Sequence, residues 1–208
     1  FHAYCVVGVL RSSLPFLPIV YFLFPGSKQP VFQEMFLSAK LPFFQSTLIV
    51  AVDRIDRDVY YSFAAGFFVV QGFELGRVPF VYFCSFFAVH TWYIQAVLNR
   101  LYSYNRVPDS ANVDVAVAEI VDESTYAYEN LLVAYPKMSV RLLKAIAKSQ
   151  PVKEITSGKF IADNDLKAAS SVSTALKKLL DNELVYKSPD GYIIYDRFMA
   201  VWLRLQPF

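Results

Sequence analysis

From residue 137 onward, apolar residues recur every three or four positions, which is the period of amphipathic helices. Two short runs near the end of the chain are rich in aromatic and β-branched residues. They flank the sequence Ser-Pro-Asp-Gly, a strong turn signal. These patterns predict helices over residues 139–149, 156–163, 170–180 and 197–205, and strands over 184–187 and 192–195.

The order of these elements, three helices followed by a β-hairpin, is that of a winged helix-turn-helix domain. We therefore assign residues 137–208 to such a domain and expect it to fold on its own. The helical spacing places one set of side chains inward, and the hairpin and the last helix cover the remaining side of this core. The inward set is Leu143, Ile146, Phe160, Val172, Leu176 and Leu179, covered by Tyr192, Ile194 and Phe198.

The middle of the chain has helical spacing but no clear polar side. The helix predicted over residues 56–71 has one apolar face that we expect to point inward, and its opposite side is also apolar around residues 67–70. A surface helix needs a polar face, so either a partner covers this region or the chain is compromised there. The inward face consists of Val59, Tyr60, Phe63, Phe67 and Val70. Further helices are predicted over 78–87, 91–104 and 113–126, with Phe63, Phe67, Trp92 and Ile94 buried together.

The first 50 residues contain short apolar runs separated by prolines. The run at 19–24, closed by Pro25 and Gly26, is typical of a buried strand in a parallel sheet. Residues 31–38 read as a short helix, and residues 47–52 as a second strand or an extended connector. The fold class is therefore mainly α with minor β.

Composition changes along the chain and indicates at least two units. Of the 19 Phe residues, 16 precede residue 111, whereas 14 charged residues precede it and 24 follow. The net charge of +2 gives no whole-chain argument for a nucleic-acid partner. Two cysteines, Cys5 and Cys84, are too few for a disulfide framework, so we expect buried free thiols.

An uncharged run from Val78 to Asn99 is long enough to cross a bilayer. Its polar residues His90 and Gln95 would lie deep in the hydrocarbon, where such groups are costly. Trp92 also falls away from the ends of the run, where interfacial aromatics belong. We therefore expect a buried element of a cytoplasmic protein, with a small membrane-anchored protein that carries a cytosolic winged helix as the alternative.

Four stretches resemble the C-terminal part of the prokaryotic AAA+-like P-loop ATPases that carry a C-terminal winged helix. They are Leu-Phe-Pro-Gly-Ser-Lys at 23–28, Glu-Met-Phe at 34–36 with Pro-Phe-Phe-Gln-Ser at 42–46, His-Thr-Trp-Tyr-Ile-Gln at 90–95, and residues 138–208. The resemblance implies three parts. Residues 1–49 would be the remnant of the P-loop α/β core, residues 50–136 a helical lid subdomain, and residues 137–208 the winged helix.

The resemblance also implies what this chain lacks. Neither a Walker A loop nor a Walker B strand occurs in it, so ATP and Mg²⁺ are expected only for a full-length protein with both motifs upstream. Ser27 stands where the family's nucleotide-sensing residue lies, with Lys28 beside it. Without a role in nucleotide binding, Ser27 would be a serine in a turn and Lys28 a solvated surface lysine. Leu41 and Val89 depart from the family, which has a basic residue and a glycine there.

Residues 137–208 hold 12 basic and 7 acidic residues, a net charge of +5. The third helix of this domain offers hydroxyls and lysines, which suit phosphate, but no Arg, Asn or Gln that would read a base edge. The candidate nucleic-acid-binding residues are Lys167, Ser171, Thr174, Lys177 and Lys178. Weak DNA binding and a protein-contact role both remain open, as does a partner, such as the upstream ATPase core, on the apolar region 50–104. With two histidines in the chain, no catalytic triad or metal site is expected.

We expect no ATP turnover from this chain alone, because it lacks a phosphate-cradling loop and an acid placed for Mg²⁺. A steady-state phosphate-release assay on purified residues 1–208 should give the rate of the protein-free blank. A rate above the blank that Ser27→Ala abolishes would contradict this expectation.

Overall fold

The computed structural model describes Phe36, Phe44, Leu48 and Val50, together with residues 54–87 and 90–206. The chain divides into two compact units, residues 1–53 and residues 54–208. The strand predicted at 19–24, and nearly all of residues 1–49, which were expected to be the remnant of a P-loop core, lie outside the described residues. The second unit contains the elements that position the candidate site.

Within the described part of this second unit, the chain forms helices followed by one hairpin and a closing helix. In order they are α1 Arg57–Val70, α2 Arg77–Phe87, α3 Thr91–Ser103, α4 Ser110–Val133, α5 Lys137–Ser149, α6 Gly158–Asp163, α7 Ala169–Asp181, β1 Val185–Ser188, β2 Gly191–Ile194 and α8 Arg197–Leu205. One continuous core of buried side chains runs from Tyr60 to Leu203.

The elements α5 to α8 have the winged-helix order that the spacing predicts. The hairpin is antiparallel and pairs Val185 with Ile194, and α5 packs against both α7 and α8. Of the nine core side chains predicted for this domain, seven are buried, while Phe160 and Tyr192 are half-buried. The strongly one-sided helices α5, α7 and α8 therefore bury the faces that their periods predict.

A single residue adds a third, minimal strand to the β1–β2 hairpin, which is the wing of the domain. Val152 and Tyr192 exchange backbone hydrogen bonds of 3.0 and 2.8 Å, so the loop after α5 is fixed along β2. The hairpin turn is closed by Ser188, whose hydroxyl donates to the Gly191 carbonyl at 2.9 Å. Gly191 has a φ of +137°, and a Cβ there would lie 2.6 Å from the Val152 carbonyl carbon. Only glycine permits this close approach of the two chains.

Helix α4 is much longer than the predicted 113–126, because it extends to Val133. Ser124 and Thr125 interrupt the apolar pattern, but their hydroxyls donate to the carbonyls of Ile120 and Val121 within the helix. Beyond them, Tyr128 and Leu132 are buried. Tyr128 packs against Trp202 of α8, with ring centroids 5.5 Å apart. The last turns of α4 therefore belong to the core around α8.

The inward face predicted for α1 is wrong except at Tyr60. The structure buries Tyr60, Ala64 and Phe68, which follow one another every four residues on a stripe beside the predicted face. Val59, Phe63, Phe67 and Val70 are exposed, each over more than half of its surface. Because α1 is apolar on both sides, its sequence period does not determine which side turns inward.

The group of four aromatic and aliphatic side chains predicted to be buried together is not formed. Ile94 is fully buried, but Trp92 is 60% exposed, like Phe63 and Phe67 on α1.

The uncharged run at 78–99 is divided between α2 and α3. No helix among the described residues is long and apolar enough to cross a membrane. Cys84 is a buried free thiol, as predicted, and burial raises its pKa to about 11; Cys5 lies outside the described residues.

Phe198, at the start of α8, joins the helical part to the winged helix. Its ring lies 5.2 Å from Phe87 of α2 and 5.1 Å from Tyr93 of α3, measured between centroids. Asp196 caps α8 by accepting from the backbone N–H groups of Phe198 and Met199. The same carboxylate accepts a 3.0 Å hydrogen bond from the Tyr128 hydroxyl of α4. Burial, and then the negative charge of Asp196, raise the pKa of Tyr128, which keeps this donor protonated.

Gly191→Ala should lower the free energy of unfolding by about 2–3 kcal/mol, because it combines a strained φ with a clash against the Val152 backbone. Urea denaturation of the full chain measures this loss. Gly158→Ala is the matched control, since a Cβ at that helix-starting glycine meets nothing within 4 Å. Equal stabilities of the two variants would contradict the close approach of the hairpin to Val152.

A double-mutant cycle on Tyr128→Phe and Asp196→Asn should give a coupling energy of about 1–2 kcal/mol, because Tyr128→Phe removes the donor of a charge-assisted hydrogen bond and Asp196→Asn removes the charge of its acceptor. Chemical denaturation of the four proteins measures it. Tyr126→Phe, on the same helix but 78% exposed, should cost less than about 0.5 kcal/mol. Additive single changes would show that α4 and α8 are not joined by this bond.

Candidate nucleic-acid interface

Helix α7 occupies the position of the recognition helix in the winged-helix order. Val172, Ala175, Leu176 and Leu179 fix one side of α7 in the core. Its other side is solvent-exposed and polar, carrying the hydroxyl groups of Ser170, Ser173 and Thr174 together with Lys177 and Lys178. The strong segregation of apolar and polar positions along this helix is what presents the polar face outward.

The five predicted contact residues do not occupy equivalent positions. Lys167 is exposed just before α7, and Lys177 is exposed on it; neither has an ion-pair partner among the described residues. Ser171 is half-buried. The Thr174 hydroxyl donates to the Ser170 carbonyl at 3.0 Å, which occupies its single donor. The Lys178 ammonium lies 5.4 Å from the centroid of the Tyr135 ring.

Three of these residues line one groove between α5 and α7. Ser171, Thr174 and Lys178 share this groove of about 400 Å³ with Ser170 and the start of α5. The residues contributed by the start of α5 are Pro136, Met138 and Ser139. No acidic side chain lines the groove. We call it the hydroxyl groove.

Lys177 faces a second groove of about 620 Å³, on the other side of α7. This groove also contains Lys153 and Ser173, but Glu154 and Asp181 balance the two lysines. Its walls are the loop after α5, α7 and the β2 residue Tyr192. The two grooves thus differ in charge: the hydroxyl groove is lined by one lysine and no acid, whereas the second is neutral.

Backbone groups add positive character to the hydroxyl groove. Both α5 and α7 begin beside it, at the N-cap residues Pro136 and Ala168, and neither N-cap side chain makes a capping hydrogen bond. The first N–H groups of a helix lack intrahelical acceptors and carry the positive end of the helix dipole. From Leu166 to Leu180 the sequence has three lysines and no acid. The arrangement therefore favours an anion.

The wing contributes little charge. The Lys187 ammonium lies 5.8 Å from the centroid of the Tyr192 ring, and Pro189 and Asp190 at the turn are exposed. One lysine and one acid at the tip offer no net attraction for phosphate. Contacts of the domain with a polyanion would thus be carried by α7 and the start of α5.

Sequence reasoning found the α7 residues but missed those that α5 and the preceding turn supply. The missed residues are Tyr135, in the turn before α5, and Met138 and Ser139, at the start of α5. No local pattern in the sequence connects them to Lys178 of α7. Pro136 indicated a boundary between two elements, and the structure places it at the N-cap of α5. No local pattern indicated that α7 begins beside it.

The other predicted ligand residues are not brought into this site. Ser27 and Lys28, the expected nucleotide-contacting pair, lie outside the described residues. His90 is the N-cap residue of α3, where its ring lies 5.1 Å from that of Tyr93. Among the described residues, no group of three His, Cys, Asp or Glu side chains is placed to hold a metal ion.

A family model described as "Probable winged helix domain" matches residues 126–205. The match begins within α4 and ends at the last residue of α8. The chain therefore contains a winged-helix domain, which confirms that part of the sequence-based prediction. The comparison with curated proteins gave no match, and the comparison with solved structures gave none. None of the three comparisons supports a P-loop ATPase parent.

Proposed function

We propose that the winged-helix domain binds DNA through phosphate contacts made by α7 and the start of α5. The observation that carries this proposal is the charge pattern of the exposed face of α7, which has two lysines and several hydroxyls against one acid, Asp181, at its last residue. Phosphate contacts supply most of the affinity of non-specific DNA binding and depend on such cations.

The hydroxyl groove offers further groups that can bind phosphate. A phosphate oxygen entering it would meet the hydroxyls of Ser170 and Ser171, the Lys178 ammonium and the uncapped N–H groups at two helix starts. These are the donor types that fix the register of a protein on a duplex without reading sequence. Thr174 would support the groove wall rather than donate, since its hydroxyl is bonded within the helix.

The same face favours binding without sequence preference. Bidentate base readout in the major groove uses Arg, Asn or Gln, or Lys on guanine. The exposed positions of α7 are Ala169, Ser170, Ser173, Thr174, Lys177, Lys178 and Asp181. Of the bidentate readers this helix offers only lysine on guanine, since it has no Arg, Asn or Gln. We therefore propose a sequence-indifferent, salt-sensitive DNA-binding module. The ATPase activity that the family resemblance implies stays a separate proposal about a longer protein.

Fluorescence anisotropy with the full chain and two unrelated labelled duplexes tests this function. Each lysine–phosphate contact contributes about 0.9 to the slope of log K against log salt. Lys177→Ala should therefore reduce the slope by about 1, and Lys177→Ala combined with Lys178→Ala by about 2. The two duplexes should bind within about threefold of each other.

Lys148→Ala is the matched control, because this exposed lysine lies near the end of α5 remote from the hydroxyl groove. It should leave the slope unchanged. Absence of binding at low salt would contradict the proposal and favour the protein-contact role of the domain. Tight binding to one duplex that survives moderate salt would contradict the sequence-indifferent character.

A further inference from the structure

Helix α1 carries a continuous apolar face that the described residues leave exposed. Val59, Phe63, Gly66 and Val70 follow one another at helical spacing, and Phe67 flanks them. The three large residues among the four are 59–82% exposed, while the opposite side of α1 is buried against α2 and α3. No charged residue occurs from Val59 to Phe73. We call these five residues the α1 face.

We propose that the α1 face binds the α1 face of a second copy of this chain, with the two helices antiparallel about a two-fold axis. Oligomers of soluble proteins are most often closed by such an axis, and the surface must then be complementary to itself. Self-complementarity is a demanding requirement, and the sequence of this face meets it.

The two-fold axis would pass midway between Phe63 and Gly66. It then sets Phe63 of each copy opposite Gly66 of the other, and Val59 of each copy opposite Val70 of the other. A large side chain thus meets the one position on the face without a side chain, and a valine meets a valine. Pairing of large with small residues is what lets two helices approach closely.

Contacts within one copy prepare the face for this pairing. A Cβ at Gly66 would meet nothing within 4 Å, so an open recess faces solvent at that point. The Phe63 ring packs edge-on against Phe67, with ring centroids 5.1 Å apart. This contact holds the Phe63 ring in place before association and reduces the entropy lost on binding.

The area and charge of the face fit a second copy rather than an acidic or basic partner. Two such faces would bury on the order of 1,000 Å² in total, at the lower end of specific interfaces. An apolar surface without charges offers nothing to select a charged partner, whereas it pairs with itself at no electrostatic cost. The expected dimer is therefore weak and is strengthened, not weakened, by kosmotropic salt.

Sedimentation equilibrium of the full chain over a range of protein concentrations tests the proposal. A reversible monomer–dimer equilibrium is expected, and Phe63→Glu should raise its dissociation constant at least about 30-fold, because it places a charge in the centre of the interface. Val133→Glu is the matched control: it changes an apolar residue, 84% exposed on α4, outside the α1 face. It should leave the dissociation constant within about twofold.

Gly66→Leu distinguishes specific pairing from general stickiness. This change adds apolar surface and favours the helix, so the monomer keeps its fold and becomes more hydrophobic. Specific pairing requires that association weaken about tenfold or more, because the recess for Phe63 is filled. Unchanged or stronger association, or a monomer at all concentrations, would overturn the proposal. Phe63→Glu should leave DNA affinity at low protein concentration unchanged. The dimer proposal can therefore fail while the proposed DNA-binding function stands, and the reverse.

Discussion

The described structure depends on the packing of α8 between the winged helix and the helices that precede it. Phe198 contacts the rings of Phe87, Trp92 and Tyr93 from α2 and α3, while Trp202 packs against Tyr128 of α4. Phe198 and Trp202 thus contact α2, α3 and α4, which are far from α8 in the sequence. A helix of nine residues thereby buries side chains in one core with two regions that the sequence analysis treated as separate domains.

A short helix can do this only when its start is fixed. Asp196 caps the first turn of α8 and also receives the Tyr128 hydroxyl, so one carboxylate sets the helix start and its distance from α4. The Tyr93 hydroxyl accepts from the Arg197 backbone N–H at 3.1 Å on the other side. Because α5 packs on both α8 and α7, the position of the recognition helix follows from this junction. The lysines of α7 remain on the outer surface.

How far the sequence predicted the structure depended on the segregation of apolar and polar positions. In α5, α7 and α8 a single apolar stripe faces polar residues, and the predicted inward side chains Leu143, Val172 and Phe198 are buried. In α1 both sides are apolar, and the predicted face was the exposed one. The extension of α4 was missed because Ser124 and Thr125 satisfy their hydroxyls within the helix, which a pattern of polar residues does not reveal.

The residues of the candidate interface could also be predicted only in part from the sequence. Lys177 and Ser171 were found because they lie on one helix, where spacing alone places them. The contribution of Ser139 and the stacking of Lys178 on Tyr135 depend on how α5 and α7 cross, which is a tertiary property. Residues that meet across two helices have no common period in the sequence, so only the fold brings them together.

The separation of charge from aromatic residues along the chain has a consequence for how the two proposed surfaces work together. Under the two proposals, the face of α7 would attract phosphate by charge, which salt weakens, whereas the α1 face would associate by apolar burial, which salt does not screen. A dimer carries two winged helices, so a second DNA contact becomes intramolecular and gains from a high effective concentration when the geometry lets both domains engage one duplex. DNA affinity would then rise with protein concentration through the dimer, and added salt would weaken the phosphate contacts without screening the dimer contact. Weak, sequence-indifferent phosphate contacts would thereby give a concentration-dependent affinity for DNA.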